Sequence, residues 1–211
     1  MQTIRIILAG VLLALLLAGG AWYLSGGSER SALPLHATLL PEGRLFPEFS
    51  LTDDQNRPFT RDSLRGHTSL VFFGFTHCPD ICPATLQQLA NVRRRLAEAA
   101  PSAGDASATP LPEILLISVD PERDTPEQLE RYVDYFGDGI TGVTGDIADI
   151  RALTVALGIF FEKSGAGDHY TVNHSTAVLV VDRNAELQAI FSGPHQVDSF
   201  VHDLPLLMAS Q

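Results

Sequence analysis

Apolar residues occur along the chain in short blocks separated by polar stretches, and the spacing within each block predicts its secondary structure. Continuous apolar runs at 69–75 and 114–119 predict buried strands, because a strand covered on both faces carries apolar side chains at successive positions. Runs at 176–181 and 186–191, joined by a polar turn, predict two more strands. The segment 48–60 predicts a hairpin that precedes all of them.

Apolar residues three or four positions apart predict the helices, since that spacing places them on one helical face. The predicted helices cover 83–100, a segment that begins at Thr125, 147–157, and a last helix around 200–207. The order of strands and helices predicts an α/β fold with a mixed central sheet flanked by helices. This order fits a thioredoxin-like topology.

The N-terminal segment has a different pattern, because residues 6–24 carry no charge. As a helix rising ~1.5 Å per residue, this segment would extend about 28 Å, which matches the hydrocarbon thickness of a bilayer. By the positive-inside rule, Arg5 keeps residues 1–5 in the cytoplasm, so the chain that follows is exported. We interpret 25–47 as a linker and 48–211 as the folded domain.

These assignments predict a single-pass protein of the inner membrane whose soluble domain lies in the periplasm, or in the mitochondrial intermembrane space if the source is eukaryotic. A cleaved signal peptide is the alternative, because the small residues at 18–20 can serve as a cleavage site. The apolar run is longer than a usual signal core and continues past that site, which favours the uncleaved anchor.

Composition excludes two other classes of protein. Lys and Arg number 14 against 25 Asp and Glu, so the net charge of −11 excludes a nucleic-acid binder, which needs a basic surface to displace counterions from phosphates. A hydrophobic content of 45% with 18% charged residues excludes a disordered chain.

The chain has two cysteines, Cys78 and Cys82, in a C-x-x-x-C arrangement between a predicted strand and a predicted helix. A disulfide closing so short a loop restrains little of the unfolded chain, so a structural bond is a poor explanation. The nearby helix N-terminus favours thiolates and therefore reactive cysteines. Redox chemistry and metal binding both remain open on these residues.

A metal would need a third ligand besides the two thiolates, and His174 is the main candidate. It stands immediately before the strand predicted at 176–181, and in thioredoxin-like folds that loop lies opposite the cysteine helix. His77 and His169 are the other candidates. Two soft thiolates and one imidazole suit Cu(I), or Cu(II) with an added weak ligand. A structural zinc site wants four ligands, and the C-x-x-C-H signature of a c-type haem is absent.

Three motifs resemble those of the Sco/SenC copper proteins of respiratory oxidase assembly. They are Gly-Phe-Thr-His-Cys-Pro-Asp-Ile-Cys-Pro at 74–83, Val-Asp-Pro-Glu-Arg-Asp-Thr at 119–125 and Tyr-Thr-Val-Asn-His-Ser at 170–175. They occur in the family's order and span nearly the whole exported domain. The resemblance implies a thioredoxin-like fold with Cys78, Cys82 and His174 as copper ligands.

The resemblance also implies a role. Family members deliver copper to the binuclear copper centre of cytochrome c oxidase subunit II, or reduce the cysteines of that centre. A disulfide between Cys78 and Cys82 would prevent copper binding, so a thioredoxin-like reductase at the membrane is an expected partner. The leading hypothesis is a copper metallochaperone, and the alternative is a thiol-disulfide oxidoreductase. A sensor is disfavoured, because no output domain is recognisable.

Two positions around the expected site draw attention. The family usually has Asp before the ligand histidine, whereas this chain has Asn173, and the lost charge is expected to alter how His174 is held. Asp120, at the end of a predicted central strand, is expected to face the site and support the ligands. In the same motif, Asp124 or Thr125 is expected to cap the next helix, and Glu122 to pair with Arg123.

Overall fold

The structure, a computed structural model, describes residues 33–100, 110–165, 167 and 170–209. The strands are β1 (Thr38–Leu45), β2 (Ser50–Asp53), β3 (Pro58–Thr60), β4 (Ser69–Gly74), β5 (Glu113–Ser118), β6 (Ile140–Thr144), β7 (Phe161–Ser164), β8 (Thr171–His174), β9 (Val178–Val181) and β10 (Glu186–Phe191). The helices are α1 (Ile81–Ala99), α2 (Pro126–Asp134), α3 (Ile147–Leu157) and α4 (Val197–Ala209), with a short 3-10 helix at Arg61–Leu64.

Eight of the described strands form one mixed sheet in the order β1-β10-β9-β4-β5-β6-β2-β3. The central strands β4, β5 and β6 run parallel, whereas β9 pairs antiparallel with β4. Strands β7 and β8 form a separate antiparallel hairpin. Parallel neighbours carry their C-terminal ends to one edge of the sheet, which is where ligand sites of such sheets lie.

The core follows the continuous apolar runs of the sequence. Every residue of β4 and of β9 is buried, as expected for strands covered on both faces. Helices α1 and α4 pack against each other, α2 packs on β6, and α3 packs near β2. The predicted α/β fold with a mixed central sheet and flanking helices is confirmed.

The helix predictions agree closely with the structure. The third predicted helix coincides with α3, and α1 begins at Ile81, two residues before the predicted start. Thr125 caps α2, since its side chain accepts a hydrogen bond from the Gln128 N–H. The helix ends at Asp134 because the turn that follows leads to Gly137, which has a positive φ of 108°.

The predicted linker is wrong in its last part. Residues 38–45 form β1, which pairs antiparallel with β10 at the edge of the sheet. The register shifts between Leu39 and Arg44, in a stretch that contains Pro41 and Gly43. Proline and glycine read as linker residues in isolation, but an edge strand accepts both at a bulge.

Besides β1, three further strands have no counterpart in the sequence prediction, namely β6, β7 and β8. Strand β6 is short and contains Gly142, where an added Cβ would lie 2.7 Å from the Cβ of Leu129. The glycine therefore permits α2 to pack closely on the sheet, a demand that only tertiary structure sets. Strands β7 and β8 are short and mostly exposed, so they carry no continuous apolar run that would predict them.

The membrane segment predicted at 6–24 lies outside the described residues, as does the cytoplasmic segment 1–5. Among the residues that the structure describes, no helix is both long and apolar enough to span a bilayer.

Candidate metal centre

The two cysteines lie where β4 leads into α1. Strand β4 ends at Gly74, Cys78 lies in the connecting loop, and Cys82 is the second residue of the helix. The Cys78 N–H donates to the carbonyl of Phe75 at 3.3 Å, which closes a tight turn. The Cys82 N–H then donates to Cys78 Sγ at 3.4 Å. An amide of the first helical turn, which has no partner within the helix, thus donates to a sulfur atom.

Gly74 makes room for the buried cysteine. A Cβ at this position would lie 3.1 Å from Cys82 Sγ and 2.9 Å from Cε1 of Phe72. Both distances are shorter than ordinary van der Waals contacts. The absence of a side chain at residue 74 therefore allows the Cys82 sulfur to lie against the end of β4.

His174 approaches the cysteines from the hairpin of β7 and β8. Its Nε2 atom lies 3.3 Å from Cys82 Sγ. Its Nδ1 atom lies 2.9 Å from the carbonyl oxygen of Ser175, and because a carbonyl can only accept, Nδ1 carries the proton. The lone pair of Nε2 is therefore directed at the sulfur, in the tautomer that a metal ligand requires.

Burial keeps this imidazole neutral. The ring packs edge-on against Phe72 and Phe75, with centroid distances of 5.9 Å in both cases. Burial lowers the pKa of His174 below its usual value, and the hydrogen bond to Ser175 opposes this only in part. At neutral pH the ring has no proton to lose before it can bind a metal.

The ligand atoms of Cys78, Cys82 and His174 all lie within 4.8 Å of one another. Cys82 is fully buried, whereas Cys78 and His174 are half-buried and line an open cavity beside Ile81. One metal ion can therefore contact two sulfur atoms and one imidazole nitrogen while staying within reach of a docked protein.

The expected thiolate character does not hold for Cys82. Burial raises the pKa of the Cys82 thiol far above its usual value, and the contact with Cys78 raises it further. The free-energy cost of removing a thiolate from water exceeds the stabilisation that the helix N-terminus gives it. A metal ion must therefore displace the Cys82 proton when it binds.

The other two histidine candidates do not join this cluster. His77 is exposed, and its Nδ1 lies 3.0 Å from the Thr76 hydroxyl and 3.9 Å from an Asp124 oxygen. The His77 ring therefore points toward Thr76 and Asp124 and not toward the sulfur atoms. His169 lies outside the described residues.

Asp120 supports the His174 hairpin and does not reach the ligands by any contact of the described residues. One of its oxygens accepts from the Tyr170 hydroxyl at 2.6 Å, and the other accepts from Arg123 Nε at 2.5 Å. The Arg123 guanidinium stacks on the Tyr170 ring at 3.7 Å, and Lys163 lies at 3.6 Å from the same ring. The network fixes the residue that precedes β8.

The rest of this motif differs from the expected local pairs. Arg123 pairs with Asp120, and Glu122 pairs instead with Lys163 at 2.7 Å. Asp124 is not the helix cap, because its oxygens accept from the N–H and hydroxyl of Thr76 and from the hydroxyl of Ser118. It ties the cysteine loop to the end of β5.

Asn173 is exposed at the rim of the cavity. Among the described residues, its side chain has no hydrogen-bond partner, whereas the Ser175 carbonyl holds the imidazole. The Ser175 carbonyl, and not the side chain of Asn173, therefore orients His174 here.

Sequence reasoning missed Tyr170, Arg123, Lys163 and the Ser175 carbonyl. Tyr170 and Arg123 are 47 positions apart in the chain, so no local pattern links them. The carbonyl of Ser175 belongs to the backbone and leaves no signal in residue identity. The one signal in the sequence was the position of Tyr170, which opens the third motif.

The fold and the site together define a class: an α/β protein that holds two cysteines and one neutral histidine in position for a soft metal ion. Comparison with known proteins gives the family. The SCO1/SenC family model matches residues 38–209, so the chain belongs to the SCO1/SenC family.

Several relatives share most of the chain. The mitochondrial SCO2 homolog of Bos taurus is 32% identical over 197 residues, which cover 91% of this chain and 71% of that protein. Arabidopsis thaliana ScoI with copper bound has a TM-score of 0.71 at 29% identity, covering 79% of this chain and 99% of that chain. Bradyrhizobium japonicum ScoI with copper bound has a TM-score of 0.64 at 31% identity, covering 76% and 98%.

Proposed function

We propose that this protein binds copper through Cys78, Cys82 and His174 and delivers it to the binuclear copper centre of cytochrome c oxidase subunit II. The observation that carries the proposal is the Nε2 lone pair of His174, which lies 3.3 Å from Cys82 Sγ with Cys78 alongside. Two thiolates and one imidazole form a soft donor set that favours Cu(I) and accommodates Cu(II) with a further weak ligand.

The family supports both parts of the proposal. Two solved relatives with similar folds hold copper. The family's role in oxidase assembly suggests the acceptor, and the open cavity beside Cys78 suggests the route. A subunit II centre with its own cysteine and histidine ligands can dock there and exchange ligands without releasing free copper.

The proposal includes an anchor and a partner. Residues 6–24 would hold the domain at the outer face of the inner membrane, or in the mitochondrial intermembrane space, where thiols are readily oxidised. A thioredoxin-like reductase at the membrane would keep Cys78 and Cys82 reduced. Extraction of the full chain at alkaline pH tests the anchor, since an integral segment stays with the membrane and a peripheral one is released.

Copper binding is tested on the reduced full chain with Cys78→Ser, Cys82→Ser and His174→Ala. We expect one copper per chain with sulfur-to-copper charge-transfer absorption in the Cu(II) form. Each variant should bind at least about tenfold more weakly, or about 1.4 kcal/mol. His77→Ala is the matched control, because His77 is the adjacent histidine and faces Thr76 instead of the sulfur atoms. Equal binding by wild type and His174→Ala would contradict the proposed ligand set.

A thiol-disulfide oxidoreductase is the second candidate, favoured by the arrangement of the two sulfur atoms. The accessible Cys78 thiolate would attack an oxidised acceptor, and one acceptor sulfur would leave as a thiolate. Cys82 would then attack Cys78 Sγ, which releases the second acceptor sulfur and leaves a disulfide between the two cysteines. Two electrons and two protons pass from this protein to the acceptor.

One comparison separates the two candidates. The oxidoreductase needs both cysteines but not the imidazole, so His174→Ala should still reduce the subunit II disulfide while Cys78→Ser does not. The chaperone needs His174 for copper transfer to the reduced acceptor. If His174→Ala transfers copper as fast as wild type, delivery does not need the imidazole and the role given to His174 is wrong.

A further inference from the structure

Two histidines, His36 and His202, lie where residues 35–37 meet α4. The rings of His36 and His202 meet edge to face with a centroid distance of 5.9 Å. Ligand atoms of His36, His202 and Asp203 all lie within 4.8 Å of one another. Both imidazoles are exposed, whereas Asp203 is fully buried. The cluster shares no residue with the cysteine site.

Asp203 is the orienting group of this cluster and not a free ligand. One of its oxygens accepts from the Leu35 N–H at 3.0 Å and from His202 Nδ1 at 2.7 Å. The other accepts from the N–H groups of His36 and Ala37, both at 2.7 Å. Two acceptances on each oxygen leave no lone pair directed at a metal ion.

The charge of Asp203 fixes the tautomer of His202. Burial alone would raise the pKa of this carboxyl, but the backbone and imidazole donors outweigh it and hold the pKa below its usual value. The group is therefore a carboxylate that can only accept, so Nδ1 of His202 carries the shared proton. The Nε2 atom of neutral His202 keeps its lone pair on an exposed ring.

A carboxylate behind a histidine is the arrangement that orients metal-binding imidazoles. His36 is held by the same carboxylate through its backbone N–H, so both histidines share one fixed support. The exposed His36 ring can reorient at little cost and bring a second nitrogen to the ion. Water would complete the coordination.

We propose that His36 and His202 form a second metal site, which binds a borderline divalent cation through two imidazole nitrogens and takes Cu(II) most tightly. Without thiolate ligands the site has no preference for Cu(I). Imidazole sites follow the order in which Cu(II) binds more tightly than Ni(II) or Zn(II). The net charge of −11 on the chain adds a general attraction for cations.

The site differs from the cysteine centre in the oxidation state it selects. Two thiolates favour Cu(I), whereas two imidazoles with water favour Cu(II). One chain can therefore hold copper in both oxidation states, at sites built on different elements. His36 lies just before β1, and His202 lies on α4. An ion bound to both would therefore also fasten residues 35–37 to the last helix.

The test uses the full chain in detergent, with any histidine tag removed and with Cys78→Ser and Cys82→Ser in place so that the first site is silent. Copper(II) sulfate is titrated while electron paramagnetic resonance is recorded. We expect one equivalent of bound Cu(II) with nitrogen hyperfine structure and no sulfur charge-transfer band. Added His36→Ala or His202→Ala should each weaken binding at least about tenfold.

His67→Ala is the control, since His67 belongs to neither cluster. Unchanged Cu(II) binding in both His36→Ala and His202→Ala would overturn the proposal. Equal weakening in all three variants would also overturn it, because binding would then be dispersed over surface histidines. Binding at the cysteine centre is measured separately in the parent chain, so failure of this site leaves that result intact.

A stability measurement guards against misfolded variants. His36→Ala keeps the backbone N–H that Asp203 accepts, so it should fold as the parent does. A metal that binds only the folded state raises the melting temperature with its concentration. We expect Cu(II) to raise the melting temperature of the double-serine chain and not that of the His36→Ala variant. An equal rise in both would count against the site.

Discussion

At the scale of single residues, backbone groups and missing side chains shape the metal centre as much as the ligands do. The Ser175 carbonyl fixes the tautomer of His174 through a 2.9 Å hydrogen bond. Gly74 allows the Cys82 sulfur to lie against β4. Neither contribution depends on the side chain of residue 173.

Replacing Asn173 with Asp should therefore change copper affinity little. The side chain is exposed, and charges at exposed positions typically contribute up to about 1 kcal/mol, or about fivefold in affinity. Competition for Cu(I) with a chromophoric chelator measures the effect. A gain well above tenfold would show that the carboxylate orients His174 in place of the Ser175 carbonyl.

Gly74→Ala should disturb both stability and the site. The new Cβ would press on Cys82 Sγ and Phe72, and overpacking of this kind costs about 1–3 kcal/mol. Because one of the displaced atoms is a proposed ligand, the folded variant should also bind copper more weakly. Chemical denaturation and copper titration measure the two effects.

Gly142→Ala is the matched control for this substitution. Its Cβ would press on Leu129 at 2.7 Å, so it should destabilise the fold by a similar mechanism while leaving the cysteines in place. If both variants lose copper affinity equally, general destabilisation explains the effect and the role given to Gly74 is wrong.

At the scale of elements, the site depends on how the β7 and β8 hairpin is fastened to the sheet. His174 pairs with Phe161 across the hairpin, and Tyr170 precedes β8. The Tyr170 ring lies against two cations, and its hydroxyl donates to Asp120. Burial and the contact with Asp120 raise the pKa of Tyr170 to about 12, so the hydroxyl stays a donor at neutral pH.

Tyr170→Phe and Tyr170→Leu should loosen His174 in two steps. The first removes a hydrogen bond worth about 1 kcal/mol, and the second also removes the stacking of Arg123 and Lys163. We expect copper to dissociate faster in each variant, and more so with leucine. Stopped-flow transfer to a chelator measures the rate.

Tyr135→Phe serves as the control, because Tyr135 is 82% exposed and lies at the end of α2. Dissociation rates that match wild type in both Tyr170 variants would mean that the hairpin holds His174 without this network. A change in rate with unchanged charge-transfer absorption would fit a positioning role, since the ligands themselves are kept.

At the scale of the whole molecule, Asp203 joins the two ends of the described domain. Its carboxylate on α4 accepts three backbone N–H groups from residues 35–37, directly before β1. Strand β1 in turn covers the β10 edge of the sheet. The carboxylate therefore fixes the residues that lead into the edge strand.

Asp203→Asn should destabilise the protein by about 3 kcal/mol near neutral pH, since three backbone N–H groups and the His202 imidazole lose a charged acceptor. The pKa of Asp203 is lowered in the folded state, so its contribution is present above the ordinary value of 3.8 and is lost as pH falls through the lower folded value. The stability difference between wild type and variant should therefore shrink in acid.

Urea denaturation at several pH values tests this dependence. Asp198→Asn is the control, because Asp198 lies on the same helix but its side chain is 85% exposed. A stability difference between wild type and Asp203→Asn that stays constant down to pH 2 would mean that the carboxylate charge contributes nothing.

Local sequence determined the central elements and identified the cysteine pair as a candidate redox or metal site. The apolar runs of β4, β5 and β9 predict strands, because strands buried on both faces carry apolar residues at successive positions. The C-x-x-x-C spacing and the three motifs identified the residues that the fold brings together. Helix α3 was predicted to the residue, since its cap and apolar spacing are local signals.

Tertiary structure decided what depends on contacts between distant positions. Residues 38–45 become a strand because β10 offers them an open edge, and Gly142 lies in a strand because α2 needs close packing. The high pKa of Cys82 and the low pKa of His174 arise first from burial in the packed fold. Arg123, one of the two cations on Tyr170, is 47 positions away in the chain. Burial and hydrogen-bond geometry are properties of the packed chain, so the sequence predicts which residues form the site but not how they are held.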